Sequence, residues 1–200
     1  MPRIDEIDEH ISEEDLAENG LKVENIVATI DLEQEFDLLE LRNYLGSSEY
    51  EPESFPFLVY KPSNLQGTVL IPTNGMASLV GCKSKKNLYD LGSHLINELQ
   101  PIAPSKLPST TNLEVQNIVI QGDLDLTLEL NQAIIGLGME NTEYEPEQFP
   151  GVIYRPTEGT TILLFASGKY MVNGAKTYDA ALSSVNNLLD TLSNSGLLDS

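Results

Sequence analysis

The fourteen residues from Glu49 to Pro62, EYEPESFPFLVYKP, return at Glu143 to Pro156 as EYEPEQFPGVIYRP, with nine of the fourteen positions identical. A duplication of this length constrains the fold more than any composition value, because each copy must fold as the same unit and the two must fill most of a 200-residue chain. With 40% hydrophobic residues there is enough apolar side chain for a real core.

The rest of the repeat follows in order. Each copy opens on an apolar, Val/Ile-rich run, VENIVATIDL from Val23 and VQNIVIQGDL from Val115, which reads as a strand. A short amphipathic segment comes next, Phe36 to Leu45 and Leu128 to Leu137, with one apolar face at helical spacing. In the quoted stretch, Pro52 and Pro56, or Pro146 and Pro150, discourage helix. From Phe55 onward, alternation puts Phe55, Phe57 and Val59 on one face and Leu58 and Tyr60 on the other. GTVLIP (67 to 72) and TTILLF (160 to 165) read as further strands, and Asn74-Gly75 marks a hairpin turn into ASLVGCK, matched by ASGK into YMVNGAK. A longer helix closes each unit, with Leu88, Leu91, Leu95, Ile96 and Leu99 on one stripe, and Leu182, Val185, Leu188, Leu189 and Leu192 on the other. This order predicts an α+β protein whose helices cover one sheet face. The other face is left bare with Val27, Val119, Phe149 and Phe165 on it, which marks a binding surface. The predicted organisation is an acidic tail (1–20), repeat 1 (21–104), repeat 2 (105–192) and a short C-terminal tail (193–200).

The formal charge of −20 argues against a polyanionic partner, since binding one relies on Lys and Arg. Placement argues the other way. Lys61, Lys83, Lys85 and Lys86 lie in repeat 1, and Arg155, Lys169 and Lys176 in repeat 2, several at matching positions. The acids crowd the N-terminus at Asp5, Glu6, Asp8, Glu9, Glu13, Glu14, Asp15 and Glu18. Such an acid excess is expected of a halophile, whose proteins work where the Debye length is about 3 Å at 1 M salt; an acidic protein of ordinary salt is the alternative.

Cys82 is the single cysteine, so neither a disulfide framework nor a CxxC zinc site is available, and its counterpart Ala175 marks it as a small packed residue. His10 and His94 have no nucleophile or metal-ligand spacing around them, so no catalytic residue, metal site or cofactor is expected. No apolar run approaches the roughly 18 residues of a membrane span, and the N-terminus has no signal-peptide core, which predicts a cytoplasmic protein that meets no membrane.

NIVAT, EYEPEQFPG, IYR, LLF, SGK and GAK, in this order and largely doubled from Val23 to Leu192, resemble the TATA-box-binding protein family, and archaeal, especially halophilic archaeal, members most closely. The resemblance implies a saddle: two pseudo-symmetric halves forming one curved ten-stranded antiparallel sheet, four helices on the convex side and promoter DNA on the concave side, bound through an A·T-rich minor groove. It implies hydrogen-bonding roles for Asn25 and Asn117, and apolar contact from Val27, Leu70, Val119 and Leu163. It implies wedging between bases by Phe149 and Phe165 with Phe55 in repeat 1, and phosphate contact by Lys61, Lys83, Arg155, Lys169 and Lys176. Glu145 and Glu147 match the loop that contacts transcription factor B, through which RNA polymerase is reached indirectly. Self-association through the concave face is a further possibility that the family allows.

Repeat 1 departs from the family pattern. The second wedge position is Pro72 instead of Phe, the turn lysine is Met76, and two threonines at the centre of the site are Val80 and Asn173. Phe57 replaces a small residue on the wedge face and is expected to compensate in part. Two functions are therefore weighed: a transcription initiation factor that binds and bends TATA-like DNA and recruits transcription factor B, and a saddle-shaped interaction module with weakened DNA binding that binds or sequesters that partner.

Overall fold

The computed structural model describes residues 11–156 and 159–198. His10 and the acids Asp5, Glu6, Asp8 and Glu9 lie outside the described residues, as do the last two residues of the C-terminal tail. The chain forms two compact units, one built from residues 24–117 and the other from 118–198 together with 11–23.

In unit 1, strand β1 (Lys22–Asp31) is followed by helix α2 (Leu38–Tyr44), strands β2 (Ser48–Glu49), β3 (Leu58–Tyr60), β4 (Thr68–Ile71) and β5 (Met76–Cys82), and helix α3 (Lys85–Leu99). The strands pair antiparallel in the order β2-β3-β4-β5-β1. Unit 2 repeats the plan with β6 (Glu114–Asp123), α4 (Leu130–Leu137), β7 (Thr142–Glu143), β8 (Gly151–Tyr154), β9 (Thr161–Phe165), β10 (Lys169–Ala175) and α5 (Tyr178–Asn194), its order being β6-β10-β9-β8-β7. The two-residue strands β2 and β7 carry too few residues to show a period of two in sequence.

Short polar side chains set the helix starts. Asp37 accepts from the Leu39 and Glu40 N–H groups at 2.9 and 3.1 Å, which begins α2 two residues later than the apolar pattern suggests. Ser84 and Thr177 cap α3 and α5 through the N–H groups of Asn87 and Ala180 at 3.0 and 3.1 Å. The long helices lie on one face of their own sheet. Leu88, Leu91, Leu95 and Leu99 of α3 are fully buried, as are Ile26, Ala28, Leu58, Val69, Ile71, Ala77 and Leu79 from the strands of unit 1. Tyr178, Ala181, Leu188 and Leu192 of α5 do the same in unit 2 with Ile118, Ile120, Val152, Ile162, Leu164 and Val172.

The described residues hold five α-helices where four were expected. The additional one, α1 (Glu13–Glu18), falls in the stretch read from sequence as a tail. A capping box starts it: Ser12 Oγ accepts from the Asp15 N–H at 3.1 Å and Asp15 Oδ2 from the Ser12 N–H at 2.8 Å. Leu16 is fully buried, and Tyr178 Oη donates to Glu13 Oε1 at 2.8 Å, which fastens α1 to α5 within unit 2. Acidic composition hides this helix in sequence, although Ser-x-x-Asp before Leu16 is its signal.

Both hairpin turns, 72–76 and 165–169, are closed alike. Gly75 donates to the Pro72 carbonyl at 3.1 Å and Gly168 to that of Phe165 at 3.0 Å. Their φ values are 78° and 84°, and a Cβ on either would run into a backbone carbonyl, of Gln34 or of Leu126, so glycine is required at both. Among the described residues no helix is long and apolar enough to cross a membrane.

Candidate nucleic-acid interface

Period-2 alternation sends every second strand residue to the sheet face that the helices leave uncovered. In unit 1 that face carries Asn25, Val27 and Thr29 of β1, Ser78 and Val80 of β5, Thr68 and Leu70 of β4, and Val59 of β3, all partly exposed and each next to at least one buried residue. Cross-strand pairs Val59↔Leu70, Leu70↔Ser78 and Thr68↔Val80 run across it. In unit 2 the matching row is Ile153↔Leu163, Leu163↔Met171 and Met171↔Gln121, with Thr161↔Asn173 beside it. Val59 lies on this face as its alternation with Leu58 and Tyr60 predicts, whereas Thr68, Ser78, Ile153, Thr161, Met171, Thr29 and Gln121 belong to these faces by register and were not among the residues singled out in sequence; continuing the alternation from Leu70 and Leu163 finds most of them. Val27 is half-buried, whereas its counterpart Val119 is only 7% exposed and offers little surface.

Each unit breaks its central ladder at one place. β1 and β5 shift register between Ile26 and Ala28, and β10 and β6 between Val172 and Ala175. The bulge glycines, Gly81 and Gly174, have φ of 81° and 95°. In unit 1 the Gly81 N–H donates to Asn25 Oδ1 at 2.9 Å, which fixes the side chain and leaves its amide NH₂ for acceptors on the open side.

Aromatic rings end each face. Phe149 and Phe165 pack with centroids 5.7 Å apart and planes at 59°, and Phe55 and Phe57 at 5.0 Å and 47°. Phe55 is 41% exposed and the other three rings are half-buried. Pro72 lies just past the end of β4, as expected of a residue with no N–H for the ladder.

The cations sit around the edges. Lys61 and Arg155 follow β3 and β8, their N–H groups donating to the Ser47 and Asn141 carbonyls at 3.0 and 2.8 Å. Lys83 follows β5 and Lys176 follows β10, while Lys169 opens β10 opposite Asp123. Met76 opens β5 opposite Asp31, so unit 1 keeps the acid and lacks the cation. Two of the cations already hold carboxylates: Lys83 Nζ meets Glu24 at 3.0 Å and Arg155 meets Glu143 at 2.7 Å. Spacings of 59 and 12 residues put both pairs out of reach of a local sequence reading.

The loop before each ring pair turns identically. The Ser54 and Phe55 N–H groups donate to the Glu51 carbonyl at 3.0 and 2.9 Å, and those of Gln148 and Phe149 to the Glu145 carbonyl, both at 2.9 Å. Glu145 and Glu147 are exposed, and the Glu145 carboxylate also accepts from the Gln148 side chain.

A cleft of about 710 Å³ lies on the helix side of unit 1, where Tyr60 and His94 hydrogen-bond at 2.8 Å. Burial, with Glu98 nearby, raises the Tyr60 pKa, so this hydroxyl stays protonated. Burial also pushes the Cys82 thiol up to about 11 and keeps it a packed thiol. Among the described residues no group of three or more His, Cys, Asp or Glu side chains could hold a metal ion.

A family model described as "Transcription factor TFIID (or TATA-binding protein, TBP)" matches residues 20–102 and again 112–195. The chain is 39% identical over 184 residues to TATA-box-binding protein 2 of Methanosarcina mazei, covering 92% of this chain and 100% of that one. It is 37% identical over 180 residues to TATA-box-binding protein D of Halobacterium salinarum, covering 90% and 96%. Among solved structures it is similar to Methanococcus jannaschii TBP, with a TM-score of 0.76 and 34% identity over 87% of this chain and 98% of that chain. The α+β fold expected from the repeat is therefore the observed one.

Proposed function

The chain belongs to the TATA-box-binding protein family, a family of DNA-binding, non-enzymatic transcription factors, and from that premise we propose that it is an initiation factor that binds A·T-rich promoter DNA through the minor groove. The observation that carries this reading is the same in both units: an uncovered sheet face of apolar and uncharged polar side chains with Asn at one end, Phe rings at the other and cations around it.

Groove chemistry makes that face selective. At A·T pairs the minor groove shows acceptors only, whereas G·C adds a donor. Val27, Leu70 and Val80 in unit 1, and Ile153, Leu163 and Met171 in unit 2, would leave a guanine amino group without a partner, which disfavours G·C. The NH₂ of Asn25 supplies a donor to adenine N3 or thymine O2, and Asn117 takes the matching role. Lys61, Lys83, Arg155, Lys169 and Lys176 contact phosphates and so position the duplex without reading it. The Phe rings enter between base steps and kink the duplex, an action for which this family is itself a reference case. The exposed Glu145 and Glu147 form the docking loop for transcription factor B, a basic partner, which brings RNA polymerase to the complex.

A second reading is favoured by one observation. Glu24 and Glu143 occupy Lys83 and Arg155, and Met76 removes a further cation, so phosphate attraction is weak in a chain of charge −20. An interaction module that holds transcription factor B while scarcely touching DNA would tolerate this. So would a factor working at high salt, where apolar contact and wedging outlast phosphate attraction. Fluorescence anisotropy on a TATA-like duplex and a G·C-substituted control, from about 0.5 to about 3 M KCl and with or without transcription factor B, separates the two. Selective binding that survives high salt is the expected result. Partner binding with no DNA binding at any salt would favour the second reading.

A further inference from the structure

The ring pairs of the two units are mounted on different strands. In unit 2 one ring, Phe149, precedes β8 and the other, Phe165, is the last residue of β9, directly across from Gly151. That glycine is a condition of the arrangement. A Cβ at position 151 would lie 3.0 Å from a ring carbon of Phe149, 3.0 Å from one of Phe165 and 2.9 Å from the Leu164 carbonyl oxygen.

Unit 1 inverts both positions. Its ladder runs Tyr60↔Val69, Val59↔Leu70 and Leu58↔Ile71, so the next pair in register is Phe57 across from Pro72. The ring stands where unit 2 has glycine, and the smaller side chain stands where unit 2 has the ring. β3 and β4 are accordingly one residue shorter than β8 and β9, because Pro72 has no N–H to extend the ladder. The outcome is nonetheless a ring pair of similar geometry, 5.0 Å apart against 5.7 Å. Phe57 points to the open face with Val59, since Leu58 and Tyr60 between and beyond them are buried.

The geometry points to Phe57 as the second DNA-wedging ring of unit 1, carried just before β3 instead of beside the end of β4 and coupled to Pro72, so that Phe57 and Pro72 form one exchange instead of two separate losses. Its attachment point is displaced by one interstrand spacing, roughly 4.8 Å, toward the outer strand β2. The inference rests on the reading that the open face takes duplex DNA.

Affinity and end-to-end bending by energy transfer on a doubly labelled duplex with a TATA-like element test it, using Phe57→Ala, Phe165→Ala, Phe57→Gly, Pro72→Phe and the pair Phe57→Gly with Pro72→Phe. Phe57→Ala and Phe165→Ala should each lower affinity by about tenfold or more and reduce the bend. Pro72→Phe alone should gain nothing, because Phe57 crowds the new ring. The paired exchange, which rebuilds the arrangement of unit 2, should return affinity to within about threefold of the parent and exceed Phe57→Gly alone. If Phe57→Ala binds and bends DNA like the parent while Phe165→Ala does not, Phe57 only covers the sheet and the inference is wrong. If both bind and bend DNA like the parent, neither ring wedges and the inference is wrong; if the parent itself does not bind the duplex, the DNA reading on which the inference rests is overturned. Should the paired exchange fail to fold by circular dichroism, the two alanine variants decide the matter alone.

Discussion

Unit 2 takes one ring from the segment before β8 and the other from the end of β9, keeps a lysine at its turn and sets glycine by the rings; unit 1 takes both rings from the segment before β3, sets proline across from Phe57 and has methionine at its turn. The backbones around these differences are nearly the same: the turn at Gly75 closes like that at Gly168, and the loop at Glu51 like that at Glu145. A duplicated scaffold thus holds its fold through glycines, caps and the buried face, while the open face of one copy is free to change. On the proposed function, the difference between the copies is a difference in how each half would hold DNA.

The comparison breaks most visibly in unit 2. Replacing Phe149 and Phe165 together with Ala should lower affinity for TATA-like DNA by about 100-fold, since ring–base contacts contribute roughly 1–3 kcal/mol each, with anisotropy as the readout. In unit 1, Pro72→Ala should change affinity by less than about threefold. Equal losses from the two would show that Pro72 itself wedges.

Gly151→Phe asks whether unit 2 accepts the arrangement of unit 1. With Phe165 still in place the new side chain meets both rings and a carbonyl, so chemical denaturation should show a loss of about 1–3 kcal/mol or more. An unchanged midpoint would mean that the rings move aside freely.

Met76→Lys restores to unit 1 the cation that unit 2 keeps in Lys169. Because Asp31 stands opposite position 76 as Asp123 does opposite Lys169, the gain is modest: about threefold in affinity at low salt, with the salt dependence steeper by about one counterion. A gain that is the same at all salt concentrations would be apolar in origin.

The smallest effect concerns the buried face, where unit 1 has Cys82 and unit 2 has Ala175. The folded thiol titrates at about 11 against an ordinary value of 9.0, so the unfolded chain loses its proton first. The stability contributed by the neutral thiol is therefore complete below 9 and is lost as pH rises toward 11. Cys82→Ala should flatten the fall in melting temperature over that window, leaving the part due to Tyr60 and Tyr170, whose hydroxyls burial also shifts upward.

Much of this was legible in the sequence because the repeat supplied an internal control. The strand faces of Phe55, Phe57 and Val59 against Leu58 and Tyr60, the turn glycines and most of the buried stripes of α3 and α5 follow from periodicity read twice; Ile96, Leu182 and Leu189, expected on those stripes, are partly exposed, and in α5 Tyr178, Ala181 and Ser184 are buried beside Val185, Leu188 and Leu192. What escaped depends on contacts distant along the chain. The Glu24–Lys83 pair joins β1 to the end of β5, and α1 needs the surface of α5 to bury Leu16. The link between Phe57 and Pro72 shows only once the register sets them opposite each other. Sequence alternation puts Phe57 on the wedge face beside Phe55; that it stands in the place of Gly151, with Pro72 in the place of Phe165, needs the register and the ring distances.

Dimethyl sulfate footprinting on a duplex with a TATA-like element tests the central claim most directly, because the reagent methylates adenine N3 in the minor groove and guanine N7 in the major groove. The account predicts protection of adenine N3 along one continuous A·T stretch, with guanine N7 in the same region still reactive. Protection of guanine N7 instead, or no protection at protein concentrations that saturate transcription factor B, would contradict it.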